Sequence, residues 1–173
     1  RGHTVVSWTL NSSEIIGRYE TGTASLEERI DSARRCEVRG YPVRYRFDPL
    51  ILHRNWRTGY ADMVDEALSK TTPQNITLGS LRFLPGHPKL TRQLHGQRGL
   101  GVFAGRFVAG PGDRKRRYPA EKRIELYRFL IGRIRERCPD VPISLCRETP
   151  EVWRALSGEL TLRGCNCVAM PLP

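Results

Sequence analysis

The chain has 173 residues, 39% hydrophobic and 27% charged, enough apolar content to pack a domain and too much for global disorder. It has no run of about 18 apolar residues, which excludes a spanning helix. The opening RGHTVVSWTLNSSE lacks the basic head and apolar middle of a signal peptide, so a reduced, cytoplasmic setting is the simplest expectation.

The first β-like run is HTVVSWTLN, residues 3–11, rich in β-branched side chains. An acidic stretch punctuated by Ser and Thr follows, then a helix near 25–39. Ser25 and Glu28 have capping-box spacing, Leu26, Ile30 and Ala33 form the buried stripe, and Gly40 ends the helix. A second strand, YPVRYRFDPL at 41–50, closes on Asp48-Pro49. The helix around 58–70 repeats Tyr60, Met63, Val64, Ala67 and Leu68 at intervals of three and four. NITLGSLRF, 75–83, is the third strand, and Pro85-Gly86-His87-Pro88 opens a short helix.

Between 99 and 119 the pattern breaks into two short β segments around Gly110-Pro111-Gly112-Asp113, a hairpin-like insertion. A long helix then runs from about 120 to 137, with Ile124, Tyr127, Ile131, Ile134 and Cys138 on one face. VPISLC at 141–146 is the fourth strand, Thr149 to Leu156 starts a last helix, and an irregular tail follows from 158. This alternation predicts an α/β fold with a parallel sheet, buried on both faces. Four units are too few to close a barrel. The expectation is therefore the carboxyl-terminal part of a partial (β/α) TIM-like barrel with a basic hairpin insertion, residues 1–157, followed by a Cys-containing tail, 158–173.

Lys+Arg 29 against Asp+Glu 18 leaves a net +11. A positive balance favours polyanions through counterion release and steering, although only four of the 29 are lysines and arginine bias also follows from codon composition. From Arg106 to Arg137 eleven basic residues face four acidic ones, so this window holds +7 of the +11. It is read either as a nucleic-acid footprint or as a solvated helix face.

Function in such sheets collects at the carboxyl ends of the strands. Here those ends are polar: Thr9-Leu10-Asn11, Asp48-Pro49, Arg82-Phe83 and Cys146-Arg147-Glu148. Converging hydroxyl, amide, carboxylate and guanidinium groups would suit a nucleotide-like ligand; singly, each is an ordinary loop cap. No P-loop, G-x-S-x-G elbow or H-E-x-x-H motif is present, and the four histidines lack metal-ligand spacing. His53 is close enough to reach the mouth but reads as a solvated loop residue.

Of the five cysteines, Cys36 and Cys138 read as small core residues. Cys146, Cys165 and Cys167 could converge on a metal, but the one-residue spacer of Cys165-Asn166-Cys167 is unlike a zinc knuckle. A packed or redox-labile tail is the other reading, and no metal ligand is assigned.

Several segments in order resemble one family: WTLN-SSEIIGRYETGTASLEERIDSARR, GYPVRYRFDPLILHRNWRTGYADMVDEAL, SLRF, KRRYPAEKRIELY, VPISLCRETPEVWRAL and the CNC ending. They resemble the carboxyl half of the spore photoproduct lyase-like family of radical S-adenosylmethionine (SAM) enzymes. The CNC ending is closer to the broad lyase-like branch than to the repair enzymes.

The resemblance implies a partial barrel holding SAM and a [4Fe–4S] cluster. The family's C-x-x-x-C-x-x-C cluster motif, hydrogen-donor cysteine and relaying tyrosines lie upstream of the matching region. The cysteine gaps here cannot reproduce that motif, so catalytic residues stay unassigned and this chain alone is expected to be inactive. Thr9 falls where a strand-end Ser of the family contacts SAM, and Asn11 completes the Ser/Thr-x-Asn. Asp48 stands where family backbone reaches the adenosine; its carboxylate could instead pair with Arg46 or Arg82.

Arg117-Tyr118 matches the Arg-Tyr of a hairpin wedged against DNA, with Arg82 as a further DNA contact; the alternative for Tyr118 is a packing residue before Pro119. The implied activity is reductive SAM cleavage to a 5′-deoxyadenosyl radical and reversal of a thymine-dimer photoproduct in DNA. A flavodoxin or ferredoxin is the expected electron donor, with no membrane partner. The alternatives are a radical SAM enzyme with another substrate, or a non-catalytic basic nucleic-acid-binding domain.

Overall fold

The computed structural model describes residues 3–161 and 164. Strand β1 (Val6–Thr9) is followed by helices α1 (Ser13–Tyr19) and α2 (Leu26–Val38), then β2 (Val43–Leu50), α3 (Trp56–Lys70) and β3 (Asn75–Ser80). The long connection after β3 carries β4 (Arg82–Phe83), α4 (His87–His95), a 3-10 turn (Arg98–Phe103), β5 (Val108–Ala109) and β6 (Arg116–Arg117). Helix α5 (Ala120–Arg137), β7 (Ile143–Leu145) and α6 (Pro150–Ala155) complete the described elements.

Four strands form one parallel sheet in the order β1-β2-β3-β7. Because the strands are laid down sequentially, α2, α3 and α5 follow one another along one face, α2 against α3 and α3 against α5, with α6 against α5. The core lies between that helical layer and one face of the sheet. Val43, Tyr45 and Phe47 of β2, Ile76 and Leu78 of β3, and Ile143 and Leu145 of β7 meet Ile30, Met63, Val64, Leu126, Leu130 and Ile134. Each fully buried aliphatic or aromatic side chain contributes about 1.5–3 kcal/mol. Cys36 and Cys138 pack against this core as small apolar residues.

The capping box forms as its spacing predicts: Glu28 N donates to Ser25 Oγ at 3.1 Å and Ser25 N to Glu28 Oε2 at 2.7 Å. The sequence reading missed α1. Its signal was present in Ser12, which caps it by accepting from Ile15 N, and in Ile15 and Ile16, which it buries. It also ran β3 through to Phe83, whereas the strand ends at Ser80 and Arg82–Phe83 joins a second, antiparallel sheet, β4-β6-β5. Within the expected insertion, β5 and β6 pair across the Gly110–Asp113 turn, whereas residues 99–103, expected as β, lie in the 3-10 turn. A second apolar cluster, Ile15, Ile51, Leu81, Phe83 and Tyr118, with Phe103 and Phe107 against it, roots this small sheet beside the large one.

No helix of the described residues is long and apolar enough to cross a membrane. Cys165, Asn166 and Cys167, and with them most of the expected tail, lie outside the described residues.

Candidate functional site

The face of the sheet opposite the helices is polar, and strand register makes it so. Thr9 is paired with Arg46, Arg46 with Thr77 and Thr77 with Ser144, so one row crosses all four strands with no apolar side chain. Ser144 Oγ and Thr77 Oγ1 lie 3.5 Å apart. The period-two alternation of Arg44, Arg46 and Asp48 with Val43, Tyr45 and Phe47 was legible in β2, but its continuation across the sheet needs the register.

One step toward the carboxyl ends, β2 gains a residue. Phe47 pairs with Leu78 but Leu50 with Ser80, so Asp48-Pro49 forms a bulge of the kind that re-aims side chains near sites. Asp48 crosses over Gly79, where a Cβ would stand 2.6 Å from its Cγ. The strand is therefore glycine where the carboxylate passes.

Asp48 meets Arg82 through two bonds, Nη1 to Oδ1 at 3.2 Å and Nη2 to Oδ2 at 3.1 Å, and Arg46 Nη2 stands 3.6 Å from Oδ2. Both pairings left open by the sequence are thus made. Burial opposes the Arg82 charge, but the hydrogen-bonded Asp48 outweighs it and raises the guanidinium pKa. The same two guanidinium groups reach the buried Cys146: Arg46 Nη2 donates to Sγ at 3.2 Å and Arg82 Nη2 lies at 3.7 Å. Cys146 is therefore part of this cluster, a role its position at a strand end did not reveal.

Thr9 is exposed at the end of β1. Its carbonyl is held by Arg29 Nη1 at 3.3 Å, while Arg29 Nη2 binds Glu20 at 2.6 Å. This buried arginine inside α2 went unread because its neighbours follow an ordinary amphipathic pattern.

Asn11 does not join Thr9. It is 1% exposed; its Nδ2 donates to the Pro49 carbonyl at 3.0 Å, and its Oδ1 accepts from Ser12 N and from Tyr60 Oη, both at 3.1 Å. Its amide clamps the β1 and β2 ends together. His53, expected in solvent, is 9% exposed, with Nδ1 3.2 Å from Glu14 Oε2 and its ring edge-on to Tyr60.

Arg117 and Tyr118 lie at the root of the hairpin rather than on its surface, each 4% exposed. Arg117 pairs with Asp113 and folds across Gly110, whose Cβ would stand 2.7 Å from the guanidinium carbon. The Tyr118 ring stacks on Phe107 at 4.8 Å and its hydroxyl accepts from Leu52 N at 3.1 Å. Burial pushes the phenol up to about 12. The packing reading of Tyr118 is the one this conformation shows, and the surface of the turn is instead Arg114 and Arg116.

Beneath them Glu148 accepts from Arg123, from Tyr127 Oη at 2.6 Å, from Ser80 Oγ at 3.3 Å and from Thr149 N at 3.1 Å. Arg123 Nε donates to the Tyr118 carbonyl at 2.9 Å.

The charge also sorts itself. Most of α5's share of the basic window is neutralised: Lys122 by Glu125, Arg123 by Glu148, Arg128 by Glu159, and Arg133 and Arg137 by Asp65. That part is a paired helix face. The longest stretch of one sign is the connection, residues 84–117, which holds eight basic residues and one acid. Among the described residues only Arg117 of these eight is in an ion pair.

No three His, Cys, Asp or Glu among the described residues could hold a metal ion. The described cysteines therefore do not fit an iron–sulfur cluster.

Residues 1–86 match the family model described as spore photoproduct lyase. The spore photoproduct lyase of Clostridium acetobutylicum is 34% identical over 68 residues, 39% of this chain and 20% of that protein. That of Bacillus subtilis is 31% identical over 75 residues, 43% of this chain and 22% of its own length. Among solved structures, a spore photoproduct lyase complexed with dinucleoside spore photoproduct superposes with a TM-score of 0.68 at 21% identity, over 80% of this chain and 43% of that one. A mutant with bound AdoMet and dinucleoside spore photoproduct gives 0.69 with the same coverage. The chain thus spans less than half the length of the proteins it matches, and the solved structures share its α/β fold with a parallel sheet. The first 86 residues are therefore a spore photoproduct lyase family segment.

Proposed function

We propose that this chain carries part of the SAM-facing and DNA-facing wall of a radical SAM lyase that reverses a thymine-dimer photoproduct. The sheet is then the carboxyl half of a partial TIM-like barrel, with residues 1–157 as that half and 158–173 as a separate tail. The polar row facing away from the helices is its interior. That row, with Thr9 exposed at one end and the Asp48–Arg82–Arg46 cluster at the bulge, is the observation that carries the reading. The family match of residues 1–86 supports it, as do the similar structures seen with AdoMet and with dinucleoside photoproduct.

Thr9 offers a hydroxyl that can both donate and accept, and Asp48 a carboxylate oriented by two arginines; these would hold SAM. Asn11 acts behind them as a positioning residue, fixing the β1 and β2 ends. Held by these residues and given one electron by a donor outside this chain, SAM would supply the hydrogen-abstracting chemistry. No step is assigned to a cluster, since no described residue set fits one. The exposed hairpin cations Arg114 and Arg116 would hold the DNA backbone, and the buried Arg117-Tyr118 pair would fix the hairpin's stance rather than contact DNA in this conformation. A reduced, cytoplasmic setting with a flavodoxin or ferredoxin donor belongs to the same reading.

Calorimetric titration of the chain with SAM and with dinucleoside spore photoproduct tests this. Saturable binding of both is expected. Thr9→Val should weaken SAM about fivefold, one net hydrogen bond of ~1 kcal/mol, and leave the photoproduct unchanged. Failure to bind either ligand would overturn the reading. Photoproduct binding without SAM would favour a radical-independent, non-catalytic nucleic-acid-binding domain, which the uncompensated connection alone would also suit.

A further inference from the structure

Helix α4 has no buried residue, although every longer helix of the fold buries a stripe. Its leucines face outward one turn apart, Leu90 at 51% and Leu94 at 67% exposed, with Leu84 just before it at 43%. It is held by its contact with the 3-10 turn, where Gly99 lets Thr91 approach; a Cβ there would stand 2.5 Å from the threonine methyl. The fold thus keeps a helix whose free face serves no packing.

Lys89, Arg92 and Arg98 share that exposed segment. Elsewhere many cations have an acid beside them, Lys70 with Asp31 and Glu66, Arg29 with Glu20, Arg57 with Glu125. Even Arg34, Arg35 and Arg39, in no ion pair among the described residues, share their helix and its cap with Glu27, Glu28, Asp31 and Glu37. Here, among the described residues, none of the three is in an ion pair, and residues 84–112 contain no Asp or Glu at all. Fields of one sign uninterrupted over such a length complement a uniformly charged polymer, whereas protein partners usually meet interleaved signs. The aromatic cluster of Phe83, Phe103, Phe107 and Tyr118 ties this segment to the hairpin, so both can bear on one extended ligand.

We propose that α4 and the turn after it form a second duplex-DNA contact, apart from the hairpin. Lys89, Arg92 and Arg98 hold backbone phosphates, and Leu90 and Leu94 seat against the sugar edges of the groove. This rests on the nucleic-acid reading given above but assigns a surface that reading does not need.

The test measures binding of the chain to an undamaged 20-base-pair duplex by fluorescence anisotropy over a salt series. The K89Q/R92Q/R98Q variant should lower the magnitude of the log K against log salt slope by about 2 to 3, at ~0.9 per phosphate contact. Leu90→Ser with Leu94→Ser should weaken binding several-fold and leave the slope unchanged. All five side chains are exposed, and circular dichroism confirms the fold.

If R114Q/R116Q weakens binding while both α4 variants bind as the parent does, α4 is not a DNA contact and this inference falls alone. If the parent chain does not bind duplex, the nucleic-acid reading falls with it. If the α4 variants keep duplex binding but lose binding to an acidic ferredoxin, the face is a protein dock and the proposal is overturned.

Discussion

Arg123 and Glu148, 3% and 4% exposed in their side chains, form the most buried ion pair among the described residues, and Arg123→Met is the perturbation that measures it. The change removes a charge-assisted bond to Glu148 and the bond from Nε to the Tyr118 carbonyl. Breaking one side of a buried pair costs about 3–5 kcal/mol, because the remaining charge is stranded. Glu148 would keep three neutral donors, Tyr127 Oη, Ser80 Oγ and Thr149 N, which places the cost near the lower end, about 3 kcal/mol. At 2–4 °C per kcal/mol for a chain of this size, the melting temperature should fall by roughly 6–12 °C. Urea denaturation should show a lower midpoint with unchanged m.

The double variant R123M/E148L separates pairing from packing. Its loss should be about 2 kcal/mol smaller than the sum of the two single losses, since no charge is left alone. Amide exchange at Arg116–Tyr118 should also quicken in Arg123→Met, because the Tyr118 carbonyl loses its anchor. A cost below about 1 kcal/mol, or a double variant as damaged as the sum, would show that the buried pair does not brace the hairpin.

Gly79→Ala places a Cβ within 2.6–2.9 Å of the Asp48 carboxylate atoms, so the carboxylate must leave its position between Arg82 and Arg46. We expect a loss of about 1–3 kcal/mol, as for overpacking, and a changed Arg82 side-chain NMR signal; an unchanged signal would remove the cradle argument. At high pH, burial raises Tyr45 and Tyr118 to about 12 and raises Tyr60 and Tyr127 as well. Folded pKa values above the ordinary 10 mean that their contribution to stability is complete below pH 10 and is lost as pH rises toward 12. Absorbance at 295 nm should therefore show four of the six tyrosines ionising late and together with unfolding, and a single step near pH 10 with the fold intact would contradict their burial.

The parallel sheet was legible because β2, α3 and α5 carry unambiguous periods of two and of three to four. The boundary at Ser80 was not, since Leu81-Arg82-Phe83 continues the alternation of β3 and only pairing with Arg117 reassigns it. Site residues divided on the same principle. Thr9 and Asp48 could be placed because strand ends are positions along the chain. The clamp that Asn11 makes could not be read, because its four hydrogen bonds join residues 1, 9, 38 and 49 positions away. The charge window was misplaced for a related reason: Arg133 and Arg137 are silenced by Asp65, about 70 residues upstream. Net charge is a property of sequence, whereas uncompensated charge is a property of the fold.

Arg82 shows why the two halves of the site resist being tested by one substitution. Its backbone belongs to the small sheet, paired with Arg117, while its side chain belongs to the large one, bonded twice to Asp48 and close to Cys146. Arg82→Ala would strand Asp48 beside Arg46 alone and loosen the root of the cationic connection in the same stroke. A loss of SAM binding and a loss of DNA binding would then appear together whether or not either ligand touches the residue. Substitutions at Thr9, at the far end of the polar row, and at the exposed cations of α4, outside both clusters, would each alter one proposed ligand surface. Agreement between those separate variants, rather than the larger effect of a central one, is what distinguishes two binding surfaces from one damaged fold.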